Sequence, residues 1–289
     1  KINVQNINLD IGLRYINNCL KFNVEISEGD HGLLRKEDID EVIKAAPTLR
    51  SIPVDLWQRS HDVFSNHGLN KKEFFKVIIG NPNVLTRSPK KIIDSIEAWR
   101  NCQFGEQNLY QLLVRYPFLF DINYDSKIMA KVTFLRRFVT STKNVWTLFM
   151  NSPNLIQENN KAIEEKFDYL TKVMRIEIPE IIKSDVFSHS LDEIKTRQIF
   201  LERLGLFKPR SPKADSHEPS KNHKLFQIMD TSDKAFATKI AGVTLMEFES
   251  FQELYKRELD TLQDGNQDEW SIKFKDFRGL ESVILIKKN

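Results

Sequence analysis

A short phrase built on proline returns along this chain at near-constant spacing: Ala46-Pro47-Thr48-Leu49, Asn81-Pro82-Asn83-Val84-Leu85, Tyr116-Pro117-Phe118-Leu119-Phe120 and Ser152-Pro153-Asn154-Leu155-Ile156. The four prolines lie 35, 35 and 36 positions apart. A period of about 20 to 50 residues marks a repeat architecture, in which each unit buries its apolar face only by stacking on its neighbours. The expected fold is therefore all-α, an α-solenoid of either hand made of two- to three-helix repeats.

Counting back from each proline shows one internal grammar. Phe74, Phe75, Val77, Ile78 and Ile79 stand at the same places before Pro82 as Leu109, Tyr110, Leu112, Leu113 and Val114 before Pro117, and as Val145, Trp146, Leu148, Phe149 and Met150 before Pro153. The spacing gives a short helix with a wide apolar face. Proline ends it, because the ring removes an amide donor and disfavours a helical residue before it. A second helix follows each proline, with Ile92, Ile96 and Trp99 in one unit, Ile128, Val132 and Leu135 in the next, and Ile163, Phe167 and Leu170 in the fourth. Spacings of three and four keep these residues on one face and leave the other free for a partner. A fifth unit keeps the pattern without its proline, with Ser184-Asp185-Val186-Phe187 in place of the phrase and a second helix from Ser190 to Gly205.

The ends of the chain differ from its middle. Residues 1–36 read as an N-terminal capping helix, over 8–24, and a loop; 37–206 as the repeats; and 207–223, with Pro209, Pro212 and Pro219, as a linker. Residues 224–289 read as a helical cap, with helices over Lys224–Met229, Ser232–Ala241 and Thr244–Leu262 and a short terminal hairpin over Trp270 to Ile286. The chain starts at Lys1 without an initiator methionine, as a trimmed or mature form would.

Charge is unevenly spread. Residues 71–150 hold 13 lysines and arginines against 6 acidic residues, a net of +7, while 1–70 and 211–289 each come to −2 and 151–210 to zero. A basic middle in a repeat array suits a polyanion, since phosphate neutralisation drives most nucleic-acid affinity. No stretch approaches the roughly 20 apolar residues that cross a bilayer, so no membrane partner is expected. Cys19 and Cys102 fall in helical patterns as reduced, buried thiols, and the six histidines form no metal-binding spacing. With ten glycines spread thinly and no phosphate loop, nucleophile elbow or paired carboxylates, neither catalysis nor a cofactor is expected.

The two-helix unit closed by a proline phrase resembles the mitochondrial transcription termination factor (mTERF) family over about residues 37–262, most closely at SLDEIKTRQIFLERLGLF (Ser190–Phe207) and DKAFATKIAGVTLMEFESFQELYKRE (Asp233–Glu258). That closing part looks like family members tied to ribosome biogenesis as well as to DNA. The resemblance implies a left-handed, arc-shaped solenoid with a C-terminal helical cap, residence in the mitochondrial matrix, and a basic concave face that holds a nucleic-acid duplex.

It also implies that basic residues of the repeat helices contact phosphates. Arg197 matches an arginine position that the family uses in this way, and Arg59, Lys131 and Lys166 lie at analogous offsets, 12 to 14 residues after their anchors. Arg87, Lys90 and Lys91 sit in the turn after Pro82, where a helix N-terminus favours phosphate. Arg136, Arg137 and Lys195 complete the set. Tyr110, Tyr116, Phe118, Trp99 and Trp146 fall at core positions, so base eversion is not assigned. Three functions stay open: a monomeric regulator that clamps double-stranded DNA and ends or modulates transcription; a ribosomal-RNA-binding factor of the large subunit; and a scaffold whose acidic C-terminal helices dock a protein such as an rRNA methyltransferase.

Overall fold

The computed structural model describes residues 33–122, 126–211 and 221–263, with the backbone of 273–275 and 281–283. The N-terminal capping helix expected over 8–24 and the middle of the linker, 212–220, lie outside the described residues.

Each proline phrase takes the same conformation. Ala46, Asn81, Tyr116 and Ser152 have φ between −129° and −147° and ψ between 71° and 84°. A residue before proline is pushed out of the helical region into such extended geometry. Its amide still closes the helix, bonding to the carbonyls of Val42, Val77, Leu112 and Leu148 at 2.7–2.9 Å. The proline then opens a short turn, since a missing N–H costs nothing at the first helical position.

The chain falls into two units, one through Ile156 and one from Gln157. The first holds α1 (Lys36–Ala45), a 3-10 turn (Pro47–Ser51), α2 (Val54–Asn66), α3 (Lys71–Gly80), α4 (Asn83–Thr86), α5 (Pro89–Arg100), α6 (Glu106–Arg115), a 3-10 turn (Pro117–Asp121), α7 (Ser126–Val139), α8 (Thr142–Asn151) and a last 3-10 turn (Pro153–Ile156). Helices that precede a proline pack on one another, α3 on α6 and α6 on α8, and so do those that follow one, α2 on α5 and α5 on α7. The core lies between the two rows. Phe74, Val77, Ile78, Leu112, Leu113, Leu148 and Phe149 from the first row meet Trp57, Ile96, Trp99, Ile128 and Leu135 from the second, all essentially inaccessible. Each such side chain contributes roughly 1.5–3 kcal/mol. Gly80 marks a close approach between two repeats, because a Cβ there would lie 2.7 Å from Pro117 Cγ. A larger residue would force adjacent units apart.

The second unit holds α9 (Asn160–Asp168), which continues as a π-helical turn (Tyr169–Val173), then α10 (Ile178–Ile181), a 3-10 turn (Val186–Ser188), α11 (Leu191–Arg203), α12 (Leu225–Met229), α13 (Asp233–Ala235) with a π-helical turn (Phe236–Ala241), and α14 (Leu245–Gln263). Ser190 and Glu193 form a capping box at the start of α11. Where the fifth unit lacks proline, Asp230 closes the phrase by accepting from Ser184 Oγ at 2.7 Å and from the Asp185 amide at 2.8 Å. Phe200, Phe236, Phe248 and Phe251 gather between α11, α13 and α14, with ring centroids 4.8–6.2 Å apart. Strands β1 (Lys273–Lys275) and β2 (Glu281–Val283) pair antiparallel, Phe274 opposite Ser282. Among the described residues no helix is long and apolar enough to cross a membrane.

Candidate nucleic-acid interface

The basic residues read from the sequence separate into an interior set and a surface set. Arg197, Lys166 and Lys131 are buried, at 5%, 5% and 9% exposure, and Arg59 is half-buried. Arg197 Nη1 donates to the carbonyls of Ile228 (2.6 Å) and Met229 (3.1 Å), and Nη2 to Thr231 O (2.9 Å) and Asp233 (2.7 Å). Lys166 Nζ donates to Phe187 O at 3.2 Å and to Glu158 at 2.5 Å. Arg59 Nη2 donates to Arg87 O at 3.0 Å. The Lys131 ammonium lies 5.8 Å from the Phe134 ring.

The physical reason lies in the phrase itself. A short turn or helix ends with carbonyls that have no partner within it, and burial makes unpaired carbonyls costly. Arg59, Lys166 and Arg197 each stand on the helix that follows one phrase and reach carbonyls at the end of the next. Each spends at least one donor on that backbone, Lys166 and Arg197 add Glu158 and Asp233, and Arg59 Nε is buried without a partner among the described residues, so the three are corrected from phosphate ligands to ties between repeats. The tie is missing at the equivalent place after Pro82, where Ser95 is buried and its hydroxyl has no partner among the described residues. There Arg87 takes over, donating to Phe120 O and pairing with Asp121.

Neutral side chains tie repeats in the same way. Asn81 Nδ2 donates to Pro117 O (3.1 Å), Tyr116 Oη to Met150 O (2.6 Å), and the indoles of Trp99 and Trp146 to Leu119 O (3.4 Å) and Asn108 O (2.9 Å). These contacts account for Trp99, Tyr116 and Trp146 as packing residues. Tyr110 and Phe118 are half-buried. The Tyr110 hydroxyl donates to His67 O and joins Arg100 and Glu106, whose hydrogen bond from Arg100 holds its carboxyl below the usual range. Burial pushes the Cys102 thiol up to about 12, so it stays protonated.

Lys90, Lys91, Arg136 and Arg137 are exposed, and Lys195 is half-buried with its ammonium 5.8 Å from the Tyr169 ring. Arg136 and Arg137 occupy the last turn of α7, where the helix dipole favours a cation. Lys90 and Lys91 occupy the first turn of α5, where the dipole opposes one. Lys127 on α7 and Lys143 on α8 repeat that placement and are also exposed, and no acidic residue stands in the first turn of any of these three helices. Outside the basic stretch α1, α2 and α11 follow the ordinary rule, with Glu37 and Asp38, Asp55, and Asp192 and Glu193 in their first turns, whereas α9 has no acid there and carries exposed Lys161. Lys127 and Lys143 were missed by counting offsets from proline; lysine without acid at a helix start is the sequence signal that finds them. Among the described residues no group of three or more His, Cys, Asp or Glu is placed to hold a metal ion.

Comparison with known proteins agrees with this architecture. A model of the mTERF family matches residues 30–237. The mouse (Mus musculus) protein named "Transcription termination factor 4, mitochondrial" is 27% identical over 192 residues, covering 66% of this chain and 55% of the relative, so the chain spans a little over half the length of that curated relative. With the proline-closed helical unit recurring across the matched span, the chain belongs to the mTERF family and is an all-α helical repeat of that type.

Proposed function

We propose that this protein binds a nucleic-acid duplex in mitochondrial gene expression, and that the duplex is mitochondrial DNA whose transcription it ends or modulates. The observation that carries the reading is the reversed charge at the starts of α5, α7 and α8, where Lys90, Lys91, Lys127 and Lys143 are exposed and no acidic residue stands in the first turn. A lysine there gives up helix stability and adds to the positive end of the dipole, an arrangement suited to phosphate. Arg136 and Arg137 add charge at the end of α7. The mechanism needs no bond chemistry: several phosphate contacts and slow release stall an advancing polymerase. The mouse relative's name, with its mitochondrial transcription termination, supports the compartment and the process.

A second reading, a factor of the mitochondrial large ribosomal subunit that binds rRNA with a methyltransferase partner, is favoured by α14. That helix exposes Met246 and Leu254 beside Glu249, Glu253 and Asp260, a surface fit for a protein. Crosslinking the protein to nucleic acid in mitochondria and sequencing the recovered strands separates the two. Reads at discrete DNA sites support the first; reads concentrated in rRNA overturn it and favour the second.

A further inference from the structure

The second unit contains a cavity of about 210 Å³ where the end of the π-helical turn, α10 and the segment before α12 come together. Buried Met174 and half-buried Ile176 form an apolar part of its wall; Arg175, Arg210, His223 and Lys224 are its basic side chains. The two carboxylates present are already balanced. Glu177 pairs with Arg210 at 2.8 Å, and Glu180 pairs with Lys224 at 3.7 Å while accepting from the Leu225 amide at 2.7 Å. Arg175 is different. Its guanidinium donates to the carbonyl of Arg210, a neutral acceptor, and it forms no ion pair among the described residues.

The backbone adds an independent observation. The second helix of each unit is followed by a residue with positive φ: Gly68, Gln103, Thr140, Arg175 and Gly205. Glycine is the residue that adopts this conformation without strain. Of the five, Arg175 (φ 56°) alone carries a charge, and it stands at the cavity after a π-helical turn, a distortion frequent at functional sites. An unbalanced guanidinium in a concave wall selects an oxyanion that matches its fork of donors. The volume exceeds that of a bare anion and falls below the roughly 300–1,000 Å³ of most drug-sized pockets.

We propose that this cavity binds the phosphate group of a nucleotide, with Arg175 as its principal ligand and His223 and Lys224 at its side. The site lies in the second unit and stands independently of the duplex reading, whose residues lie in the first.

Calorimetric titration of the whole chain tests it with three probes: inorganic phosphate, adenosine 5′-monophosphate, and a dinucleoside monophosphate that carries only a phosphodiester. Wild type should bind at least one of them, and Arg175→Gly should weaken that binding at least about tenfold, the loss expected for a charge-assisted hydrogen bond. Glycine suits the positive φ, so the variant should keep or raise the unfolding temperature. Arg175→Lys should bind with intermediate affinity, keeping charge without the fork. Preference for the monophosphate identifies a terminal phosphate; equal binding of the diester identifies an internal one. Failure of all three probes to bind wild type, or equal affinity in Arg175→Gly, overturns the proposal.

Discussion

The guanidinium of Arg197 donates to the backbone carbonyl of Ile228, 2.6 Å away and 31 residues further along the chain. The same group holds Met229 O, Thr231 O and Asp233 and lies 4.9 Å from the Phe236 ring. One side chain thus satisfies three carbonyls at the end of α12 and clamps α11 to α13. A residue that looks like a phosphate ligand in sequence is a tie in the folded protein.

Replacing Arg197 by methionine keeps much of the apolar stem and removes every donor. The unfolding midpoint should fall by the equivalent of about 2–3 kcal/mol, because buried carbonyls lose a charged partner. Hydrogen exchange should show lost protection over residues 225–241. Arg197→Lys should recover less than half, since one ammonium cannot span the fork. Duplex affinity, measured where both proteins are folded, should stay unchanged.

Lys90 and Lys91 should behave in the opposite way. Changing both to alanine should raise stability by about 0.3–1 kcal/mol per lysine, by removing cations from the positive end of a helix dipole. The same variant should bind duplex DNA more weakly, with a slope of log affinity against log salt shallower by about 1.8 if each lysine contacts one phosphate. An unchanged salt slope would place the interface elsewhere.

Ser95 offers a gain without a loss of binding. Its hydroxyl is buried without a partner among the described residues and sits within α5, so Ser95→Ala should stabilise the chain by about 1 kcal/mol in denaturant titration. A destabilised variant would show that the hydroxyl has a use that its surroundings do not reveal.

His61 is buried with its ring edge-on to Phe74, at a centroid distance of 5.3 Å, and burial lowers its pKa below 6.5. The nearby Asp62 carboxylate opposes that shift and Lys71 adds to it. Well above pH 6.5 the imidazole is neutral in both folded and unfolded chains and contributes no pH dependence. As pH falls from 6.5 towards the lowered folded value, the unfolded chain takes up the proton first, so stability drops, by at most about 1.4 kcal/mol per pH unit. His61→Phe should preserve the aromatic contact and flatten the stability profile over that window, as equilibrium unfolding at several pH values would show.

The repeat unit was legible because its cause is local. Proline sets the same backbone geometry before it in each of the four phrases, and apolar residues at helical spacing mark the buried face, so Phe74, Leu112, Phe149 and their equivalents could be placed by counting. Lys90, Lys91, Arg136 and Arg137 were legible as surface charges for the same reason. Arg59, Lys131, Lys166 and Arg197 were not. A long basic side chain near the edge of an apolar face can extend to solvent or fold inward along its stem, and helical spacing alone does not distinguish the two.

The sequence by itself determined the period, the helices, the buried face and the basic middle, all of which follow from backbone chemistry and hydrophobic spacing within about 35 residues. The tertiary structure decided which cations are ties and which are surface. That choice depends on carbonyls left open at the end of the next repeat, 28 residues away for Arg59 and 31 for Arg197, and only stacking brings donor and acceptor together.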